Sequence, residues 1–212
     1  GERIRESDVF LAMPNVLGQV VASSVSKYNE LTAYLDINEG SPIMESDTRS
    51  VGLRNHINQI RYRLKSVLQE GRIVLPPRVE VEISTHYGIE RFDQWGAILV
   101  MVLNRAYSKM LIVMFPGQSY PRHFHRKKEE SFHLLRGDLS IEVEGTRREM
   151  KAGDLLSVLP GVRHSFQTNN GAIIEEISTT YLNGDSVYED ESINQNSNRK
   201  VELTLWSQGV ED

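Results

Sequence analysis

The chain has 212 residues, 39% of them hydrophobic and 25% charged, with a net charge of −5, which suits an ordinary globular protein of one or two domains. An acidic balance without any Lys/Arg stripe interleaved with aromatics excludes a surface for phosphate backbones, so nucleic acid is not an expected partner. There is no cysteine, which removes disulfides, thiolate nucleophiles and thiolate metal sites; any metal must be held by nitrogen and oxygen.

Residues 1–45 alternate short apolar pieces with turn signals: Val9-Phe10-Leu11, Pro14-Asn15, Leu17-Gly18, Glu39-Gly40 and Ser41-Pro42. That pattern predicts a small unit of short strands and turns. The start at Gly1, without Met, suggests a piece of a longer product. No apolar signal core opens the chain, so the cytoplasm is the expected location.

Next, Val51, Leu53, Ile57, Ile60, Leu64, Val67 and Leu68 recur at helical spacing, with Arg54, Asn58, Arg61 and Lys65 opposite and Gly71 closing the run. An amphipathic helix is expected there, either connecting two domains or packed outside a barrel. Pro76-Pro77 stops it. From Val79 onward, β-favouring stretches recur between Gly, Pro, Asn and Asp: Val79–Ile83, Ala97–Leu103, Met110–Phe115, Phe132–Leu135, Leu139–Val143, Asp154–Leu159, Ser165–Thr168, Ala172–Ser178 and Val201–Leu205. Such spacing predicts an all-β barrel or sandwich. Residues 183–200 read as a long polar loop. The longest apolar runs fall far below the ~20 residues of a membrane-spanning helix, so no membrane association is expected.

One segment carries chemistry. His123 and His125 are two apart, so on a strand both imidazoles leave the same face. Glu130 shares parity with Phe132 and Leu134 and should point inward with them, whereas His133 should point outward. After the Pro160-Gly161 turn, His164 begins a further strand on the same inward parity as Phe166. Two spaced segments thus deliver three imidazoles and a carboxylate to one interior, and His123, His125, Glu130 and His164 are the expected metal ligands.

These residues carry a family resemblance. Gly117-x5-His123-x-His125-x4-Glu130-x6-Gly137 matches the first cupin motif at every spacing, and Gly153, Gly161 and His164 match the second. Pro160 and Asn169 each fall one residue late. The resemblance implies a double-stranded β-helix, or jelly-roll barrel, over residues 73–212. Runs such as His86-Tyr87-Gly88-Ile89-Glu90-Arg91-Phe92 and Asp185-Ser186-Val187-Tyr188-Glu189-Asp190 resemble the cupin appended to some sialic acid synthase-like proteins. Residues 1–48 resemble the antifreeze-like (SAF) domain of those proteins, a small β-clip, with residues 49–72 as the connecting helix. Met13-Pro14 stands where the synthases usually carry Arg-Pro, and the synthase barrel has no counterpart here, so no condensation is expected of this chain.

The same region is similar to the cupin D-lyxose isomerases, which share His-Phe-His, a basic run, the Glu and a later Glu-hydrophobic-Ser. That similarity implies Lys128 and Glu176 as proton-transfer groups beside a divalent ion. Three imidazoles and one carboxylate leave two positions of an octahedral ion for vicinal sugar oxygens; Zn, Mn, Fe and Ni all suit the donors. The two expectations are an accessory module binding a sugar or sugar acid, and a metal-dependent sugar isomerase or epimerase. A homodimer is the expected assembly. His86 could line the barrel mouth but is expected rather as an ordinary strand-end histidine, the Lys127-Lys128 and Arg147-Arg148 pairs as solvated turns rather than anion sites, and Trp95 and Trp206 as core or interface anchors.

Overall fold

The computed structural model describes residues 2–25 and 29–203. They fall into two compact units, Gly1–Tyr62 and Arg63–Asp212. In the first, β1 (Arg3–Ile4), β2 (Asn29–Ala33) and β3 (Thr48–Gly52) form an antiparallel sheet in that order, with Leu31 buried on the central strand. This is the small unit of short strands that the turn signals predict. Val9-Phe10-Leu11, however, is not a strand, and Phe10 and Leu11 are exposed.

Helix α1 (Arg54–Glu70) follows, burying Ile60, Leu64 and Leu68 at four-residue spacing. Val51, expected on that apolar face, instead lies in β3 and is exposed. The helix ends in a Schellman-type turn: Arg72 N–H donates to the Gln69 carbonyl and Ile73 N–H to the Leu68 carbonyl. The left-handed residue of that turn is Arg72, at φ 52°, and Gly71 serves a different need. A Cβ on Gly71 would stand 3.0 Å from Ile173 Cδ1, so the glycine lets the helix end approach the second unit's sheet. Arg63, midway along the helix, lies over the Phe115 ring at 4.0 Å and pairs with Asp93.

The second unit is built from eleven antiparallel strands: β4 (Glu80–Thr85), β5 (Gly96–Asn104), β6 (Tyr107–Met114), β7 (Ser119–His125), β8 (Glu130–Val143), β9 (Thr146–Lys151), β10 (Leu155–Val158), β11 (His164–Gln167), β12 (Ala172–Thr179), β13 (Ser186–Tyr188) and β14 (Lys200–Glu202). Their order is β13-β7-β11-β8-β12-β6-β5-β4-β14, with β9 and β10 also on β8. The sheet curls because β8 serves two halves. Its first half pairs with β10 and β12, its second with β9 and β11. Sequence patterning splits this strand into Phe132–Leu135 and Leu139–Val143, and the break marks its bend at Gly137. There φ is 90°, and an added Cβ would lie 1.9 Å from the Gly171 carbonyl oxygen, which only glycine tolerates. Inside the curl pack Ile112, Met114, Phe132, Leu134, Leu139, Ile141, Phe166 and Ile174. Each such fully buried side chain contributes about 1.5–3 kcal/mol.

The stretch 183–200, expected as a loop, is structured. It holds β13, a short helix α2 (Glu191–Gln195) and the start of β14. Asp190 caps α2 by accepting from Ser192 N–H, while Tyr188 and Ile193 bury themselves in the barrel core. The apolar residues are too few among polar neighbours to show a period. The expected last strand is present to Glu202; its residues 204–205, and Trp206, lie outside the described residues. Among the described residues, no helix is long and apolar enough to cross a membrane.

Candidate metal centre and active site

Strand register assembles the site. His123 of β7 stands directly opposite His164 of β11, and His125 opposite Ser186 of β13. Glu130 opens β8, and its parity with Phe132 and Leu134 carries all three inward. The four side chains are buried, and one ligand atom from each lies within 4.8 Å of all the others. His133 leaves the opposite face and meets Glu175 at 3.4 Å, as parity predicts.

Hydrogen bonding sets the lone pairs. His123 Nδ1 lies 2.9 Å from the Pro121 carbonyl oxygen and His164 Nδ1 3.0 Å from that of Val162. A carbonyl can only accept, so both rings carry their proton on Nδ1 and present a bare Nε2 inward. His164 Nε2 then faces Glu130 Oε1 at 2.9 Å, two acceptors in contact without hydrogen-bond geometry. A second oxygen, Oε2, is 3.4 Å from His125 Nε2 and 2.6 Å from Lys128 Nζ, again without a satisfactory hydrogen-bond angle. Buried polar atoms are ordinarily satisfied. Converging nitrogen and oxygen lone pairs with no proton between them fit a cation, and this donor set suits a divalent metal. Burial pushes both His123 and His125 below the ordinary imidazole value, His125 to about 4, which keeps their lone pairs free at neutral pH.

Lys128 and Glu176 come together at the same place. Lys128, expected in a solvated turn, is buried, with Nζ 2.8 Å from Glu176 Oε1 as well as 2.6 Å from Glu130. Burial opposes its charge, but Glu176 and then Glu130 outweigh that and raise its pKa. One ammonium serves two buried carboxylates unequally. Burial works against ionising Glu130, yet the Lys128 ammonium holds it well below the carboxylate range. Glu176 is raised, because burial prevails over the same lysine. Two neighbouring carboxyls are thus pushed in opposite directions.

A pocket opens over this group. Met110, Ile112, Leu99 and Phe132 give it an apolar floor; Tyr120, Tyr181, Tyr188, Glu82, Arg199 and Lys200 supply the rest of the wall. Sequence reasoning missed that second group. Tyr188 stacks on His123, with centroids 5.3 Å apart. His86 is fully buried, against Tyr120 at 4.3 Å, rather than an ordinary strand-end residue. Trp95 is half-buried and packs edge-on to Tyr87. Arg147 and Arg148 lie in β9, exposed and not in a turn.

Known proteins resemble this stretch of the chain. The Cupin domain profile matches residues 110–174, the stretch that holds all four grouped residues. By sequence it is similar to the D-lyxose/D-mannose isomerase of Thermosediminibacter oceani, 22% identical over 66% of this chain and 94% of that one. It is also similar to the D-lyxose ketol-isomerase of a Thermofilum species, 23% identical over 65% and 93%. Among solved structures, the L-ribose isomerase of Geodermatophilus obscurus superposes with TM-score 0.58 at 13% identity, covering 67% of this chain and 94% of that one. That of Cellulomonas parahominis with L-psicose gives 0.56 at 16%, covering 69% and 95%. At these identities the superpositions establish the fold. None of these four relatives is a synthase, and the expected association of the cupin with a SAF domain and a sialic acid synthase draws no support from them.

Proposed function

We propose that the chain is a metal-dependent aldose–ketose isomerase acting on a small sugar, with the ion held by His123, His125, Glu130 and His164. The observation that carries this reading is Glu176. A binding module needs only the metal group, whereas here a second buried carboxyl, with a raised pKa, shares Lys128 with Glu130 and faces the same pocket. A divalent ion in such a site polarises neighbouring carbonyl and hydroxyl oxygens of a sugar.

The protein's own groups would do the rest. Glu176 takes the proton from the carbon beside the carbonyl, leaving an enediolate, and returns it to the former carbonyl carbon while the hydroxyl proton passes from one sugar oxygen to the other; no other atom is gained or lost. Lys128 holds the Glu176 carboxylate in place and offsets the charge that the enediolate gathers. Met110, Ile112, Leu99 and Phe132 keep water from the transferred proton. The similarity to two D-lyxose isomerases supports the sugar class. No observation favours the accessory module, with its SAF domain at residues 1–48, over this reading. The test is metal analysis of the purified chain, followed by solvent deuterium exchange into aldoses and ketoses read by NMR. No exchange into any sugar, with metal present, would overturn the proposal.

A further inference from the structure

The pocket holds a second polar cluster, outside the cupin motifs and unused by the chemistry above. Glu82 on β4 stands opposite Leu99 on β5 and Glu202 on β14. Lys200, two residues before Glu202, reaches diagonally across and places Nζ 2.8 Å from Glu82 Oε2, while donating to Tyr181 Oη at 2.9 Å. Glu82 Oε1 is buried and has no hydrogen-bond partner. An ionised oxygen sealed from water without a donor is unfavourable, and a hydroxyl donated by a bound molecule relieves it.

Tyr181 links this cluster to the catalytic one. Its ring centroid lies 5.7 Å from Lys200 Nζ and 5.8 Å from Lys128 Nζ, so one sugar-sized molecule reaches both. The tyrosine is fixed from behind. Asn104 accepts from its N–H at 3.0 Å and donates to its carbonyl at 3.1 Å, and Thr180 donates to the Arg105 carbonyl.

We propose that Glu82, oriented by Lys200 and Tyr181, accepts a hydrogen bond from a hydroxyl of the sugar remote from its carbonyl. This rests on the isomerase reading of the same pocket. Lys200 is already committed to Glu82 Oε2, which leaves Oε1 as the open acceptor. A hydroxyl would meet an acceptor made for it.

The test uses the full chain loaded with metal, titrated calorimetrically with pentitols and hexitols, which cannot isomerise, and assayed with the matching aldoses. Glu82→Gln should weaken binding of the polyol, and kcat/KM for the aldose, about tenfold to hundredfold at unchanged metal content. In the wild type, an aldose lacking its terminal hydroxyl should lose a similar factor and lose little more in Glu82→Gln, an arm that does not depend on the variant's folding. Lys200→Met should weaken the same ligands. Unchanged polyol affinity in Glu82→Gln, or independent losses from the two deletions, would each overturn the subsite. In those cases exchange by the wild type would leave the isomerase reading standing. If the loaded wild type binds no polyol and exchanges no sugar, the reading and the subsite fall together.

Discussion

Removing Lys128 tests the charge logic of the site most directly. Lys128→Met keeps most of the apolar stem of the side chain but leaves Glu130 and Glu176 buried with no ammonium between them. Breaking a buried pair in this way typically costs about 3–5 kcal/mol. The structure offers one relief, which is to protonate a carboxyl. Holding a carboxyl of ordinary pKa ~4.3 neutral at pH 7 costs about 1.4 kcal/mol per pH unit, or roughly 3–4 kcal/mol, and this caps the penalty. For a domain of this size that is a fall in Tm of roughly 7–15 °C. Thermal melts of the chelator-treated variant and wild type measure it. The deficit should shrink as the pH falls from 7 towards 5, because the native carboxyl then accepts its proton at less cost. Metal should also reduce it, since Glu130 regains a cation. A chelated variant that melts within about 2 °C of wild type at pH 7 would refute the argument that Lys128 compensates both carboxylates.

Metal content should collapse in His125→Ala and Glu130→Ala and persist in His133→Ala, whose side chain leaves the other face of β8; equal metal in all three, by mass spectrometry, would sink the ligand set. Glu176→Gln should lower the rate of solvent deuterium exchange by ~10²–10⁴-fold with metal retained, the usual worth of a general base; exchange at the wild-type rate would remove Glu176 from proton transfer. His86 is held neutral by burial, its pKa lowered to about 3, although the Trp95 carbonyl favours the protonated ring. The unfolded chain binds that proton near 6.5, so this contribution is complete above pH 6.5 and is lost progressively as the pH falls towards 3, by up to about 1.4 kcal/mol per unit. Denaturant midpoints from pH 7 to pH 4 should fall less steeply in His86→Gln than in the wild type, and parallel slopes would contradict it.

Much of the barrel was legible because its strands bury one face and alternate. His123, His125, Glu130 and His164 follow from parity alone once their strands are recognised, and the outward path of His133 follows from the same count. The strands that escaped notice lack the signal. In β9, Thr146-Arg-Arg-Glu-Met-Lys, only Met150 is buried, so no apolar alternation exists to read. In residues 183–200 the buried Tyr188 and Ile193 anchor β13 and α2 from within a polar composition, and pairing with β7 supplies the order that local propensity does not.

Lys128 shows where local reading stops. Beside Arg126 and Lys127 it has the surroundings of a solvated turn, and its neighbours are indeed exposed. What turns it inward is a residue far along the chain. The Asp185 carboxylate accepts from the backbone N–H of Lys127 at 3.1 Å and of Lys128 at 3.0 Å, fixing the turn. The inward side chain then meets Glu176, 48 residues away and brought alongside β8 by the pairing of Glu176 with Phe132. Glu82 and Lys200 repeat the pattern over 118 residues. A lysine that pairs with a distant buried carboxylate has the same local sequence as one in water; only strand order separates them. Three of the four metal-group residues are written in one short motif because β7 and β8 are adjacent in the chain, while His164 and the proton-transfer and sugar-end groups are brought in by the topology.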